Sequence, residues 1–240
     1  MAQPFMSAAE PLVSVVVPVR GDALPLAALL NQLPSRSGVQ TVVATSGPPE
    51  AAYDALKTAR PDVVWLESPA GRGVQLNVGA AVATGRWLWF VHADSHLPAG
   101  WFEVFEALER RADVAGGAFA FRLDSRAWQA RWLERAVAAR VRLFGLPYGD
   151  QGIFARRAVF ASMGGFLPIP LMEDVEFVRR LKRQGRVVHL SEGMVTSARR
   201  WEQRGWWRQS LSNLATLGLY FAGVPPERLA RRYDRRPNVF

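Results

Sequence analysis

The chain has 240 residues, 49% of them hydrophobic, and a formal net charge of +9, which suits one large domain or one domain with an extension. It contains no cysteine, and that excludes disulfides, thiolate metal sites and cysteine nucleophiles. No basic start followed by an apolar run and no run of about 18 apolar residues is found, so a cytoplasmic protein is expected.

Leu12–Val19 (L-V-S-V-V-V-P-V) reads as a first strand buried on both faces, since strands covered by helices on both sides are continuous apolar runs. Arg20-Gly21-Asp22 is a turn, and Ala23–Leu33 has helical spacing. Val39–Thr45 is a second strand, Ser46–Pro49 a turn, Glu50–Lys57 a short helix and Val63–Leu66 a third strand. Gly71-Arg72-Gly73 opens a helix that runs to about Ala83, and Gly85 is expected to end it as a left-handed C-cap. The fourth strand, Trp87–Val91, runs into the polar cluster H-A-D-S-H-L-P, and Trp101–Arg110 follows as a helix. Alternating strands and helices predict an α/β fold with a mostly parallel central sheet flanked by helices. Neither G-x-G-x-x-G after the first strand nor a P-loop is present, which argues against nicotinamide and P-loop enzymes.

Ala112–Leu123 is a further strand, and its Gly116-Gly117 pair predicts a bulge or a close backbone approach. Ser125–Phe144 is a long amphipathic helix. Tyr148–Gly152 is a polar, glycine-flanked loop before the short apolar run Ile153–Ala155, and is a candidate part of a site. Met163–Phe166 is a turn. A helix from Met172 to Gln184 carries Glu173 and Asp174 in its first turn, where the helix dipole favours ionised carboxylates; simple capping is the competing reading. Val187–Leu190 is the last strand.

The character changes at Arg199. Nine arginines and three acids lie between Arg199 and Arg236, and such a surplus points to an anionic partner. Trp206, Trp207, Leu211, Leu214, Leu217 and Phe221 fit much of one helical face. Flanking arginines and tryptophans suit a helix at a membrane interface; packing on its own domain or on a second subunit is the alternative. The expected organisation is a catalytic domain over 11–198 and a basic, Trp-rich helical extension over 199–240. The first ten residues read as weakly held.

Two acidic positions point to chemistry. Ligands of open α/β sheets bind beyond the carboxyl ends of the strands, where Asp94 stands. An acid there can hold Mg²⁺ or Mn²⁺ against a diphosphate. The Glu173–Asp174 pair can take a proton from an incoming hydroxyl.

In these pieces the chain resembles the family 2 glycosyltransferases, with their GT-A (nucleotide-diphospho-sugar transferase) fold, from Val13 to about Arg204. The matching motifs are V-S-V-V-V-P-V at 13–19, G-R-G-V-Q-L-N-V-G-A-A at 71–81, F-V-H-A-D-S-H-L-P at 90–98, Y-G-D-Q-G-I-F at 148–154, M-G-G-F at 163–166, P-L-M-E-D-V-E at 170–176 and T-S-A-R-R-W at 196–201. Within the family it is similar to the subfamily labelled arsenosugar biosynthesis glycosyltransferase, or radical-SAM/selenodomain-associated transferase. The resemblance implies an inverting transfer of a sugar from a UDP- or GDP-type donor to an unidentified hydroxyl acceptor, with Mg²⁺ or Mn²⁺ as cofactor. It puts Asp94 at the last aspartate of the D-x-D motif, with His92 in place of the first, as metal ligands. Asp174, with Glu173 beside it, takes the place of the catalytic base. Pro18, Arg20 and Asp22 match the loop beside the nucleobase, and Arg72 a basic residue near the nucleotide. Gly149, Asp150, Gln151, Arg200 and Trp201 are assigned to the acceptor or donor-sugar region.

One departure stands out. Family members carry an aspartate for the base at the end of strand two, where this chain reads V-V-A-T-S-G at 42–47, leaving Thr45 and Ser46 as hydrogen-bonding groups. A lipid-linked acceptor fits the segment 206–224 and an association with the inner face of the membrane; a soluble acceptor does not need it. A homodimer through the C-terminal helices is a further partner reading, and no nucleic-acid reader motif is present. Two other functions remain: a nucleotidyltransferase, which would release pyrophosphate, and a basic binding protein that has lost catalysis, which the missing strand-two acid favours.

Overall fold

In chain order the computed structural model, which describes residues 10–21, 23–48 and 51–234, runs β1 (Val13–Val19), α1 (Ala23–Leu30), β2 (Val39–Thr45), α2 (Ala51–Ala59), β3 (Val64–Glu67), α3 (Arg72–Val82), β4 (Trp87–Phe90), α4 (Trp101–Glu109), β5 (Val114–Leu123), α5 (Trp128–Phe144), β6 (Phe154–Arg156), α6 (Arg157–Ser162), α7 (Glu173–Leu181), β7 (Arg186–Thr196), α8 (Arg199–Arg204), α9 (Trp206–Phe221) and α10 (Pro226–Asp234). A 3₁₀ turn occupies Gly149–Gln151. The expectations for the first nine residues, Asp22, the helix start at Glu50 and the end of the basic tail lie outside the described residues.

The strands form one sheet in the order β3-β2-β1-β4-β6-β5-β7. β1 pairs in parallel with β2 and β4, β2 with β3, and β5 with β7. The short β6 runs antiparallel to both β4 and β5. The chain therefore winds outward from β1 to β3, then returns to place β4 on the other side of β1. That reversal makes a topological switch point between the carboxyl ends of β1 and β4, where such sheets open a ligand crevice.

The two faces of the sheet follow from strand periodicity. On β1, Val13, Val15, Val17 and Val19 face one core with α1, while Val16 faces the other. On β4, Trp87 and Trp89 join the first core, with Phe105, Phe119 and Phe154, and Leu88 and Phe90 join the second, with α6 and α7. Buried tryptophans need a partner for the indole N–H. Trp89 Nε1 donates to the Gly152 carbonyl at 3.1 Å, which ties β4 to the loop at 148–152, and Trp87 Nε1 donates to Glu109 at 2.8 Å.

Three local expectations change. Gly85 is not a left-handed cap; Ala83 ends α3 in an extended conformation. Glycine is required at 85 because a β-carbon would stand 2.5 Å from the Ser14 nitrogen. The Gly116-Gly117 pair serves both suggested roles: the register slips between Val114 and Gly116, and β-carbons would stand 2.4 Å from the Phe154 oxygen and 2.3 Å from the Val188 oxygen. The last strand extends far beyond Leu190, to Thr196. Its polar stretch Ser191-Glu192-Gly193 is tolerated because β7 is an edge strand with a half-exposed face.

Candidate active site

A cavity of about 600 Å³ opens beyond the carboxyl ends of β1 and β4. Past the end of β4, the Val91 N–H still donates to the Val16 carbonyl at 3.1 Å, so the chain stays on the sheet for one more residue. Ser95 N–H then donates to the His92 carbonyl at 3.1 Å and closes a turn that presents Asp94, exposed, to the cavity. Pro18 and Arg20 reach it from the end of β1, Arg72 from the first residue of α3, and Arg199 and Arg200 from the start of α8. Four arginines and the acids Asp94, Asp124, Asp150 and Asp174 thus share one cavity.

Asp174 is fixed at the N-terminus of α7. One carboxylate oxygen accepts the Gly149 N–H at 2.7 Å, and the other accepts the Val175 N–H at 2.7 Å. The residue before the helix, Met172, has φ 67°, the one positive φ outside glycine among the described residues. Such a left-handed conformation costs about 1 kcal/mol or more and often marks a functional site; here it aims the first turn of α7 into the cavity. Gly149 allows the approach of two side chains. A β-carbon there would stand 3.0 Å from His92 Nε2 and 3.4 Å from Asp174 Oδ2. Burial, followed by the charges of Arg72 and Arg200, lowers the His92 pKa to about 3, so the imidazole is neutral at physiological pH.

The acidic pair divides its work. Glu173 is 1% exposed and does not line the cavity. One of its carboxylate oxygens accepts from Arg72 Nε, and the other is buried without a partner among the described residues. Burial opposes the charge on Arg72, but Glu173, Asp174 and Asp150 outweigh it and hold the guanidinium protonated. Asp150 lines the cavity with a buried, unpartnered oxygen. Burial pushes its pKa up to about 6, with Asp174 and Asp94 adding to the rise against the opposing charges of Arg140 and Arg72.

Of the other expected site residues, Gln151, Thr45 and Ser46 stand back from the cavity. Gln151 is 2% exposed; its amide donates to the Phe119 carbonyl at 3.1 Å and its oxygen accepts from the Tyr148 N–H at 3.2 Å, so it anchors the turn rather than facing a ligand. Thr45 donates to the Leu66 carbonyl at 3.1 Å, along the sheet. Ser46 is buried with a hydroxyl that has no partner among the described residues. Trp201 lines the cavity, and its indole N–H has no partner among the described residues.

Sequence reading missed several walls. Gln75 donates to the Val19 and Ala44 carbonyls at 2.9 and 2.8 Å, joining the ends of β1 and β2. Gln209, Asn213 and Thr216 reach the cavity from α9, and Tyr233 from α10. The signal for the α9 residues was present: three polar side chains four and three apart lie on one stripe of a largely apolar helix.

Among the described residues no group of three His, Cys, Asp or Glu side chains could hold a metal ion. Mg²⁺ and Mn²⁺ need no such cage when a phosphate ligand is present, because one or two protein groups suffice. Asp94 and the neutral His92 two residues before it both line the cavity. No helix among the described residues is long and apolar enough to cross a membrane.

The model of the family described as glycosyl transferase family 2 matches residues 14–161. No curated protein sequence matches the chain. Among solved structures, S. aureus TarS residues 1–349 aligns with a TM-score of 0.60 at 14% identity, over 90% of this chain and 68% of that one. TarS in complex with UDP-GlcNAc gives 0.59 at 15% identity, over 77% and 58%. The mannosyltransferase PcManGT from Pyrobaculum calidifontis, in complex with GDP-Man and Mn²⁺, gives 0.63 at 18% identity, over 86% and 62%. The chain thus spans between 58% and 68% of the length of these three.

Proposed function

The chain belongs to glycosyl transferase family 2 and has an α/β fold of the GT-A type, and from that premise we propose that it is an inverting glycosyltransferase using a nucleoside-diphosphate sugar. The observation that carries this is the shared cavity. It holds one hydrogen-bonded carboxylate, Asp174, a second acid at a strand end, Asp94, and the arginines at 20, 72, 199 and 200.

In this reading Asp174 takes the proton of the acceptor hydroxyl. The freed oxygen lone pair attacks the anomeric carbon, and the bond from that carbon to the diphosphate oxygen breaks with its electron pair leaving on the diphosphate. One displacement inverts the anomeric centre and needs no covalent nucleophile. The arginines stabilise the charge that develops on the leaving group. Asp94, with His92, would hold a divalent cation, which supplies further neutralisation of that charge. Glu173 acts through Arg72, keeping the guanidinium at the cavity wall. Pro18 and Arg20, which line the cavity beyond β1, form the nucleobase side, and the buried Ser46 lies just past the strand end where the family carries its aspartate. Gly149, Asp150, Arg200 and Trp201 form the sugar and acceptor side, with Gln151 holding the turn. The catalytic domain covers 11–198 and the extension 199–240, of which α8, α9 and α10 add walls to the cavity. The H-A-D at 92–94 and Y-G-D-Q-G-I-F at 148–154 support the arsenosugar-type subfamily.

The test is a screen of nucleotide sugars with Mg²⁺ or Mn²⁺, read by the released nucleotide. Free nucleoside diphosphate supports glycosyl transfer, and pyrophosphate supports a nucleotidyltransferase instead. With the best donor, Asp174→Asn is expected to keep donor binding and lower kcat by about 10²–10⁴-fold; an unchanged kcat removes Asp174 from the role.

A further inference from the structure

Beside the polar cavity lies a second one of about 880 Å³ between α5 and α9. The two helices meet at one end, where the Trp207 ring stands 4.9 Å from that of Trp132 and 6.1 Å from that of Trp128. Beyond that contact they leave an apolar groove. Trp207, Leu211, Leu214, Gly218 and Phe221 line it from α9, spaced four and three apart on one stripe of the helix. Gly218 makes a notch in the stripe, since a β-carbon there would meet nothing within 4 Å. Eight of the eleven large hydrophobic side chains exposed among the described residues belong to α5 and α9. Apolar exposure concentrated in this way marks a binding surface.

The groove is continuous with the site of the proposed reaction. Tyr148, Asp150, Trp201 and Asn213 line both cavities. At this seam Asp150 Oδ1 and Trp201 Nε1, and beside it Arg140 Nε, are buried without partners among the described residues. Buried polar atoms left unpaired cost free energy and call for an explanation. The seam also adjoins the base, because the residue before Asp150 donates its N–H to Asp174 at 2.7 Å.

Resting on the glycosyltransferase reading of the polar cavity, we infer that the groove binds the hydrocarbon tail of the acceptor, an amphipathic alcohol whose hydroxyl lies at the seam beside Asp174. A flexible chain can fill the groove and reach the seam at once. The shared lining of the two cavities favours one ligand that spans both over a folded partner or a second copy, which has no need of the polar cavity. The volume falls within the range of pockets that enclose small ligands.

The experiment uses the full chain and n-alkanols from butanol to decanol, with binding read by tryptophan fluorescence and calorimetry. The dissociation constant is expected to fall about fourfold per added methylene, as for burial of a hydrocarbon chain. Gly218→Trp fills the notch on an open helix face and is expected to abolish that dependence while leaving the circular dichroism and nucleoside-diphosphate binding unchanged. Affinity that ignores chain length, or a chain-length dependence untouched by Gly218→Trp, overturns the inference. So does a dimer in sedimentation that Gly218→Trp dissociates, or vesicle binding without alkanol binding, since each assigns the groove to a different occupant. A protein that binds the alkanol series but no nucleoside diphosphate leaves the groove standing and rejects the glycosyltransferase reading.

Discussion

Asp150 sits where burial pushes its pKa up to about 6, and that shift has a measurable consequence. A carboxyl that binds its proton more tightly folded than unfolded makes the folded state lose stability as pH rises from about 4 to about 6, with the full loss present above that window. Asp150→Asn copies the protonated form. In metal-free protein it is expected to stabilise the fold by about 2 kcal/mol near pH 7.5, a rise of several degrees in Tm, and to give little advantage near pH 4. Thermal denaturation at the two pH values checks this; an equal effect at both would mean that the acid is not strained by burial. At the same scale, local pattern alone does not separate Glu173 from Asp174, and only the family resemblance singled out Asp174 as the base. They are neighbours in one helical turn, and only their orientation, one towards Arg72 and one towards the cavity, gives them different work.

Among the elements, the strands were the most legible. β1, β2 and β4 are buried on both faces, so their apolar runs announce them. β7 was read short because its second half is polar at a sheet edge, where burial no longer dictates the residue type. Its contact with β5 depends on backbone proximity rather than side chains. At Gly117 a β-carbon would stand 2.3 Å from the Val188 carbonyl oxygen, and backbone cannot yield as a side chain can. Gly117→Val is therefore expected to cost about 2 kcal/mol or more in urea denaturation, and a loss within experimental error would show that β5 and β7 can separate at that point. α9 carries three faces on one helix: a polar stripe to the first cavity, an apolar stripe to the second, and Leu217 to the core.

For the molecule as a whole, the C-terminal helices are walls of the cavity, although beyond T-S-A-R-R-W at 196–201 no expected motif extends into them. Leu217 is 8% exposed and packs in the core cluster that contains α7 residues. Leu217→Asp puts an unpaired charge there, which costs several kcal/mol if the helix stays docked; the helix is expected to detach instead. Limited trypsin digestion should then cut faster at Arg204 and Arg208, while nucleoside-diphosphate affinity falls at least tenfold with the loss of the Gln209 to Thr216 wall. A digestion pattern and affinity equal to those of the parent chain would show that α9 does not complete the site.

The sequence by itself determined most of the strands and the mostly parallel sheet, the position of Asp94 at a strand end, the acidic pair at a helix start and the clustering of arginines from Arg199 onward. Each of these is written in local patterns: apolar runs, helix-start residues and charge counts along the chain. The tertiary structure decided which of two adjacent acids faces the cavity, that Arg72 is paired with Glu173, that Gln151 supports rather than lines the site, and that α9 joins a polar cavity to an apolar one. These depend on contacts between residues far apart in the chain, such as Arg72 with Glu173. Sequence periodicity gives the face of a helix, but only packing decides what that face meets.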